Sequence, residues 1–583
     1  MAASLLLAAL VITLSQAHAT TAEKGAQPVA ASKAVPPSQS VVFNLIRLLV
    51  QEGVLTQDKA NALIRQAEDE AAAAARGQVA VNQAPAAGTK TAGSGTATAG
   101  APQSVRVPYI PEVVRRQIRD EVKQEVLTEA KAERWAAPNQ IPDWTQKIRM
   151  SGDFRVRYEW DLFDKRNSAF FPNFSALNAG APFDLNNSAG VLPPLLNTTQ
   201  DRQRLRERFR LGIDAAIDDA FQAGVRLATG NTTNPVSTNQ TLGNSLSNDS
   251  FNLDRAYLRY RPAPWLTVFA GRFADPWFST DLVWDDDVNF DGIVAQAQIP
   301  VLDQLSSFVT AGAFPINNTP LNFPDNSASK NGSRDVWMYA AQAGVDWRPE
   351  HDYDLKLGLA YYYYDHMQGE LSSPCTALSS AAVCDTDNSR PGFMQQGNSL
   401  FAIRNLVNPT GVTNPPQFQY YGLASNFHEL NLTSRFDYAG YDPIHIIVDA
   451  DFVKNLGFNR TAIGGRNPVN NRGQSPDGVV AGPWDGGDSA FEARMLVGYP
   501  ILRERWNWNF TVGYKYIESD SVVDAFNDSD FHLGGTNAKG YFFGGGVSIA
   551  RDIDLSARWM SAREVTGPAY SADVVQIDLN GRF

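Results

Sequence analysis

Cysteine and long apolar runs are nearly missing from this sequence. Cys375 and Cys384 are the only cysteines among 583 residues, and after the first twenty residues no run reaches the ~18 apolar residues that a transmembrane helix requires. These absences exclude a disulfide-rich scaffold and a helical membrane protein. Both cysteines lie in one polar stretch, where an oxidising compartment favours a local disulfide, with two free thiols as the alternative.

A basic excess and the common catalytic motifs are also missing. The formal net charge is −12, which provides no overall basic surface for nucleic acid. The sequence has no Gly-rich phosphate loop, CxxC pair or HExxH stretch, and neither His428 nor His445 has a recognisable catalytic serine or acid partner nearby in sequence. The Asp285-x-Asp287-x-Asn289 spacing matches the start of an EF-hand loop, but the glycine that this loop requires is missing. We therefore expect no enzyme activity, no cofactor and no metal site.

The first 140 residues differ in composition from the rest and divide into four segments. Residues 1–19 contain a short apolar run and an Ala-His-Ala cleavage site, which indicates a signal peptide; a short buried apolar segment is the alternative. Apolar residues at helical spacing predict a helical hairpin over 20–76, and the Ala/Gly/Thr-rich stretch 77–110 predicts a flexible linker. Residues 111–140 predict a charged helix whose narrow apolar stripe suits a coiled coil, or else a solvated spacer.

From residue 148 onward the apolar residues recur at every second position, which is the period of a β-strand. No stretch of helical period interrupts this alternation. Residues 141–583 therefore predict an all-β transmembrane barrel of about sixteen antiparallel strands, preceded by the α-helical segment. The predicted strands are 148–160, 202–217, 220–229, 251–261, 265–273, 289–299, 306–315, 335–348, 353–365, 427–438, 443–454, 489–499, 506–517, 540–550, 553–561 and 573–583.

Short and long connections alternate between these strands. Residues 218–219 and 551–552 join neighbouring strands directly, whereas 161–201 and 366–426 are long and polar. Bacterial outer-membrane barrels have short periplasmic turns and long external loops, so we expect the outer membrane, with the N-terminal helices in the periplasm. On the lipid-facing positions of 337–347, aromatic residues flank small apolar ones, which indicates two interfacial girdles.

Four segments resemble a known family. Residues 151–158 (SGDFRVRY), 270–273 (AGRF), 282–285 (LVWD) and 289–292 (NFDG) are similar to segments of the putative porin family of Gram-negative outer membranes. The terminal aromatic residue, Phe583, resembles the signal that the barrel assembly machinery recognises, although Gly581 stands where a larger apolar residue is usual.

This resemblance covers about three quarters of the chain and implies a general diffusion channel, which is a water-filled pore for small hydrophilic solutes and ions. It also implies a homotrimer in contact with outer-membrane lipid and lipopolysaccharide. Two alternatives stay open. An anion- or phosphate-selective channel would show a strong anion preference in reversal potentials. An envelope tether would hold peptidoglycan through the N-terminal helices, and deletion of residues 20–140 would then abolish attachment and leave conductance intact.

Arginines at alternate positions predict a basic wall inside the barrel. They occupy the parity opposite to apolar residues such as Leu205 and Phe209, which assigns them to the lumen, where they would concentrate anions. Neutralisation by Asp153, Glu159 or Asp214 is the structural alternative. The predicted pore-lining arginines are Arg149, Arg155, Arg157, Arg204, Arg206, Arg208, Arg210, Arg255 and Arg259.

An acidic loop follows the fifth predicted strand, over residues 274–288. In general porins the third external loop folds into the lumen, so the resemblance implies that its carboxylates face the arginines across a constriction. A solvated turn is the alternative. The predicted constriction residues are Asp275, Asp281, Asp285, Asp286 and Asp287.

Overall fold

The computed structural model describes residues 143–186, 190–474 and 481–583. The predicted signal peptide, helical hairpin, flexible linker and charged helix, which span residues 1–140, lie outside these ranges. Within these ranges no helix is both long enough and apolar enough to cross a bilayer.

Sixteen antiparallel strands form a closed barrel, because β1 pairs with β2 on one side and with β16 on the other. This confirms the predicted strand number, and each predicted strand end lies within three residues of the observed one. The strands are β1 Ile148–Phe163, β2 Arg202–Ala216, β3 Phe221–Ala228, β4 Asn252–Ala263, β5 Leu266–Ala274, β6 Asn289–Leu302, β7 Leu305–Asn317, β8 Val336–Trp347, β9 Tyr353–Asp365, β10 His428–Tyr441, β11 Ile444–Asn455, β12 Ser489–Gly498, β13 Trp508–Ile517, β14 Ala538–Ala550, β15 Ile553–Glu564 and β16 Ser571–Arg582.

Short helices and short strands occur outside the barrel strands. The helices are α1 Asp143–Gln146, α2 Phe174–Ala179 and α3 Arg460–Gly465, and single 3-10 turns occur at Asp387–Ser389 and Phe531–Leu533. Asn173 and Asn459 cap α2 and α3, because each side-chain oxygen accepts a hydrogen bond from a first-turn amide. The short strands are Phe183–Asp184, Gln240–Thr241, Leu400–Ala402, Phe418–Gln419, Tyr421–Leu423, Arg472–Gln474 and Ala481–Trp484.

Short and long connections alternate as predicted, with the exception that the connection 499–507 is longer than the external connection 565–570. Each short turn is closed locally; for example, the Asp218 carboxylate accepts hydrogen bonds from the amides of Ala220 and Phe221 at 2.8 and 2.7 Å. The short-turn end is the periplasmic end in bacterial outer-membrane barrels. We number the long connections at the other end L1 (164–201), L2 (229–251), L3 (275–288), L4 (318–335), L5 (366–427), L6 (456–488), L7 (518–537) and L8 (565–570). Cys375 and Cys384 form a disulfide within L5.

The outer surface of the barrel is apolar along the membrane-facing positions. On β8, Tyr339 and Trp347 are 46% and 45% exposed, whereas Met338 and Gln342 on the alternate positions are almost fully buried. A closed sheet with an apolar exterior leaves no unpaired strand edge for lipid to meet, which is what a membrane barrel requires.

The seam between β1 and β16 is closed at its periplasmic end by the last residue. The amide and carbonyl of Phe583 exchange hydrogen bonds with those of Gly152, both at 3.0 Å. A Cβ atom at Gly152 would lie 2.4 Å from the Phe583 ring, so only glycine leaves room for the terminal aromatic side chain.

The core of the molecule lies inside the barrel, toward the long-loop end. Phe314, Met338 and Tyr362 point inward from β7, β8 and β9, and Leu282 and Trp284 of L3 pack among them. This part of the inner wall is therefore apolar, because a folded loop covers it and excludes water.

Candidate pore constriction

L3 folds into the lumen and spans it from one wall to the other. Its first half packs on the inward aromatic residues, with the Trp277 ring 5.3 Å from that of Tyr362. The amide of Phe278 donates a hydrogen bond to Gln342 of β8, and the Thr280 hydroxyl donates one to Asp451 of β11 at 2.8 Å. An aromatic contact and two hydrogen bonds therefore anchor L3 to the barrel wall.

The five acidic residues of L3 lie in different surroundings. Asp287 faces the arginines of β2, at 2.9 Å from Arg210 and 3.5 Å from Arg208. Asp281 instead contacts the opposite wall, where Lys515 of β13 lies 3.0 Å away. The remaining three make no ion pair in the described part of the chain. They are Asp275, which lines a cavity below the loop, Asp285, which is buried, and Asp286, which is exposed.

L7 also enters the lumen, which the sequence did not indicate. The amide of Ser529 donates a hydrogen bond to the Asp285 carboxylate at 2.9 Å, and the amide of Asp285 donates one to the carbonyl of Phe526 at 2.8 Å. Asp530 lies further along L7 and binds Arg157 of β1 at 2.9 Å and Arg558 of β15. L3 and L7 therefore form one joined partition across the barrel.

The electrostatic environment differs strongly between the carboxylates of this partition. Burial alone would raise the pKa of Asp287, but Arg208 and Arg210 outweigh it, so that its pKa is lowered. Burial likewise opposes ionisation of Asp530, but Arg157 and Arg558 hold its pKa below the usual value. Asp285 has no such cation, and its pKa is raised well above the usual value by burial and by the charges of Asp287 and Asp528.

The predicted arginines form an inward-facing ladder on β1 and β2, and most of them are paired. Asp153 accepts hydrogen bonds from Arg208 and Arg210 at 3.1 and 2.8 Å. Glu159 binds Arg204 and Arg206. Two of the three proposed neutralising carboxylates therefore hold arginines.

The third, Asp214, accepts a hydrogen bond from the Tyr257 hydroxyl at 2.8 Å instead of pairing with an arginine. Arg157 binds Asp578 of β16 as well as Asp530, and Arg155 donates a hydrogen bond to Asn239 of L2 at 2.6 Å. Arg149 is exposed near the periplasmic end of β1, and Arg259 has no carboxylate partner in the described part of the chain.

Below the partition, on the periplasmic side, the arginine wall borders a cavity of about 320 Å³. Arg255 donates a hydrogen bond to the amide oxygen of Asn289 at 2.6 Å, and Arg226 pairs with Asp254. The cavity lining contains five arginines and a single carboxylate; the charged lining residues are Arg208, Arg210, Arg226, Arg255, Arg582 and Asp153. Its electrostatic character is therefore cationic.

Sequence reasoning missed several of these charged residues. Arg226 and Lys515 lie at inward positions of strands whose alternate residues are apolar. The alternation along these two strands therefore already predicts that both side chains face the lumen. Asp530 and Arg558 meet only because L7 descends into the lumen, and no local pattern encodes that tertiary contact. His445 also has an acidic partner after all, since its Nδ1 lies 2.8 Å from Asp437 on the adjacent strand. Across residues 143–583, apart from the two gaps, no three His, Cys, Asp or Glu side chains converge as metal ligands.

A closed, apolar-faced barrel whose lumen is narrowed by inward-folded loops and lined by charges defines an outer-membrane channel. Residues 39–583 match the family model described as "Putative porin", and the chain belongs to this family. The predicted family membership is thereby confirmed. No curated protein matches the chain.

Solved outer-membrane barrels show similarity at low sequence identity. The outer membrane channel DcaP of Acinetobacter baumannii is 13% identical, with a TM-score of 0.35, and the match covers 75% of this chain and 97% of that one. Pseudomonas putida OprB is 12% identical, with a TM-score of 0.38 and coverage of 75% and 95%. An anion-selective porin from Comamonas acidovorans is 10% identical, with a TM-score of 0.35 and coverage of 75% and 99%.

Proposed function

We propose that this barrel is a passive diffusion channel for small hydrophilic solutes and ions, and that its arginine wall makes it prefer anions. The observation that supports the preference is the cavity lined by five arginines and one carboxylate. In a narrow, low-dielectric lumen such an excess of fixed positive charge raises the local anion concentration and repels cations.

Three features support transport by diffusion. The walls of the cavity are polar and lie between the constriction and the periplasmic opening, so a hydrated solute meets charged groups on its path. The joined L3 and L7 partition limits the size of the permeant solute. Most arginines are held by carboxylates, which fixes the guanidinium groups at the wall of the lumen.

Reversal potentials in planar bilayers test the preference. The wild-type channel in a KCl gradient should favour chloride over potassium. The double variant Arg226→Gln and Arg255→Gln removes two cavity charges and should lower the chloride-to-potassium permeability ratio by about twofold or more. The matched control is Arg166→Gln with Arg551→Gln, because both of these side chains are exposed and pair with carboxylates in the connections between strands. A cation-selective wild type, or equal ratios in both double variants, would contradict the proposal.

We also propose self-association through the outer face of β2 to β6. Glu207 and the Arg272–Asp291 ion pair, joined at 2.9 Å, occupy outward positions there, where direct contact with lipid is costly for charged groups. Contact with a second and third copy would cover them. Light scattering of the detergent-solubilised protein should yield the mass of three chains, and a monomer mass would contradict this arrangement.

A further inference from the structure

A second lumenal cavity lies below the partition, against strands β5 to β9. It has a volume of about 360 Å³ and lies between the start of L3 and the turn that joins β4 to β5. No residue lines both this cavity and the arginine-lined one, so the two occupy different parts of the barrel wall. Its volume falls within the range of about 300–1,000 Å³ that is usual for small-molecule sites. We call it the β5–β9 cavity.

The charges that line the β5–β9 cavity are balanced in sign. They are two cations, Arg261 and Lys356, and two acidic residues, Asp275 and Asp346. The arginine-lined cavity instead has five cations and one carboxylate. The β5–β9 cavity therefore has no excess charge that would concentrate an ion of either sign, and a neutral polar solute can occupy it without competing against such an ion.

The lining offers both donors and acceptors to a solute. Gln298 is exposed, and Asp275 and Lys356 are half-buried, so each of these groups keeps surface that a solute can reach. A carboxylate accepts hydrogen bonds, an ammonium group donates them, and an amide does both. A hydroxyl group also donates and accepts, so a molecule with several hydroxyl groups matches this lining.

Both cations of the cavity are already in contact with neutral, electron-rich groups. The Lys356 Nζ lies 4.3 Å from the centroid of the Phe278 ring and 4.9 Å from that of Phe308. Arg261 donates a hydrogen bond to the carbonyl of Pro264 at 3.0 Å. This arrangement favours a neutral ligand over an anion or a zwitterion, whose carboxylate would have to compete for these cations. The two half-buried rings also supply apolar surface for the carbon skeleton of the ligand.

Amide side chains of the barrel wall fix the part of L3 that covers the cavity. Gln342 of β8 accepts a hydrogen bond from the amide of Phe278 at 2.9 Å and donates one to its carbonyl at 2.8 Å. Gln296 of β6 donates a hydrogen bond to the carbonyl of Pro276 at 2.8 Å. The cavity is therefore formed before a solute arrives, which lowers the entropic cost of binding.

We propose that the β5–β9 cavity is a binding subsite for a neutral, polyhydroxylated solute of the size of a monosaccharide, with its hydroxyl groups on Asp275, Gln298 and Lys356 and its carbon ring against Phe278 and Phe308. This inference rests on the proposed diffusion channel, because the solute reaches the cavity through the lumen. Neutral solutes and anions then cross the lower lumen along different walls.

Saturation-transfer NMR titrations of the full chain in a sugar-free detergent test this assignment, with methyl α-D-glucopyranoside and alanine as probes. Burial raises the pKa of Asp275 to about 7, so the titrations are run at pH 8, where its carboxylate is ionised. Several hydrogen bonds to hydroxyl groups predict that the glucoside binds at least about tenfold more tightly than the zwitterion.

Variants at Gln298 locate the binding. Gln298→Leu removes one hydrogen-bonding group and should weaken glucoside binding about fivefold, and Gln298→Trp fills the cavity and should abolish it. The matched controls are Gln200→Leu and Gln200→Trp, at an exposed position of L1, and both should bind the glucoside as the wild type does.

Three outcomes would overturn the inference: equal wild-type affinities for the two probes, no binding of the glucoside, or glucoside binding that survives in Gln298→Trp. The comparison of the two probes on the wild-type protein needs no variant and stands even if Gln298→Trp fails to fold. Binding in detergent is measured without ion flow. A channel that binds the glucoside but does not prefer chloride would therefore contradict the proposed anion preference alone, and an anion-selective channel that does not bind it would contradict this inference alone.

Discussion

Among the acidic residues of both L3 and L7, two carboxylates of the same loop lie in opposite electrostatic surroundings. Asp287 and Asp530 face arginines of the barrel wall, whereas Asp285 and Asp524 are buried and bind no cation in the described structure. Asp285 and Asp287 are only two residues apart. The comparison shows that the composition of an acidic loop does not assign a role to its residues. A carboxylate that faces the arginine wall forms an ion pair, whereas one that faces the loop interior is a buried acid without a cation beside it.

The two sets should respond differently to substitution. Removing a paired carboxylate takes a counterion away from buried arginines, which is destabilising. Removing an unpaired buried carboxylate relieves a desolvation cost whenever the group would otherwise be ionised. The following experiments test these expectations for the paired and for the unpaired carboxylates.

The largest effect is expected for Asp530→Asn. This change deprives Arg157 and Arg558 of a shared counterion, and breaking a buried pair of this kind costs about 3–5 kcal/mol. Urea unfolding in detergent should show a correspondingly lower midpoint. Asp325→Asn, at an exposed position of L4, is the control and should be neutral. Equal midpoints for the two variants would show that Asp530 does not anchor L7.

A pH-dependent effect is expected for Asp524→Asn. Burial raises the pKa of Asp524 to about 7, against the opposing effect of the nearby backbone amides of Asn398 and Gln395. The unfolded chain ionises near pH 4 and the folded chain near pH 7, so the folded state is protonated longer and loses stability as pH rises between these values. Wild type and variant should be equally stable at pH 4, and the variant should be more stable by roughly 2–4 kcal/mol at pH 8.

The measurement for Asp524 is the difference in urea midpoint between wild type and variant at pH 4.5, 6 and 8. Using the difference cancels the titration of every other group. A difference that does not grow with pH would show that Asp524 is solvated in the folded protein, and a difference of opposite sign would place a cation beside it.

The smallest effect is expected for Asp287→Asn. The variant removes one of the two carboxylates that Arg208 and Arg210 share and leaves Asp153 in place, while the amide oxygen of asparagine can still accept the hydrogen bonds from Thr238. The chloride-to-potassium permeability ratio should rise by about twofold, opposite in sign to the arginine substitutions above. Asp286→Asn, at the exposed neighbouring position, should change the ratio less. An equal rise in both variants would mean that only the net charge of L3 matters.

Most of the barrel could be predicted because lipid-facing and lumen-facing residues alternate along each strand. Each strand places every second residue toward lipid, so a run such as Trp508–Ile517 displays its strand length and outward face without knowledge of its partners. The strand order follows because successive strands of these barrels pair with each other. The arginines at 204, 206, 208 and 210 could be placed on the lumenal face for the same reason.

The constriction was less predictable because the residues of a loop do not follow the two-residue alternation of a strand. The partners of Asp281 and Asp530 depend on how far L3 and L7 descend, and that depth is set by aromatic packing on β7 to β9. One local signal was available. Apolar residues on both faces of β9, at 361–364, indicated that something covers the inner face there. Recognising it would have predicted a packed loop but not its charge contacts.

The contact between Gly152 and Phe583 implies an order of events. The two residues lie at opposite ends of the barrel sequence, and contacts of such long separation carry the largest loop-closure entropy and form late. The main-chain groups of Phe583 therefore stay unpaired while the other strands associate, and they become paired when the cylinder is complete, whereas the ring itself remains 66% exposed. A single pair of backbone hydrogen bonds in this way distinguishes an unfinished barrel from a finished one.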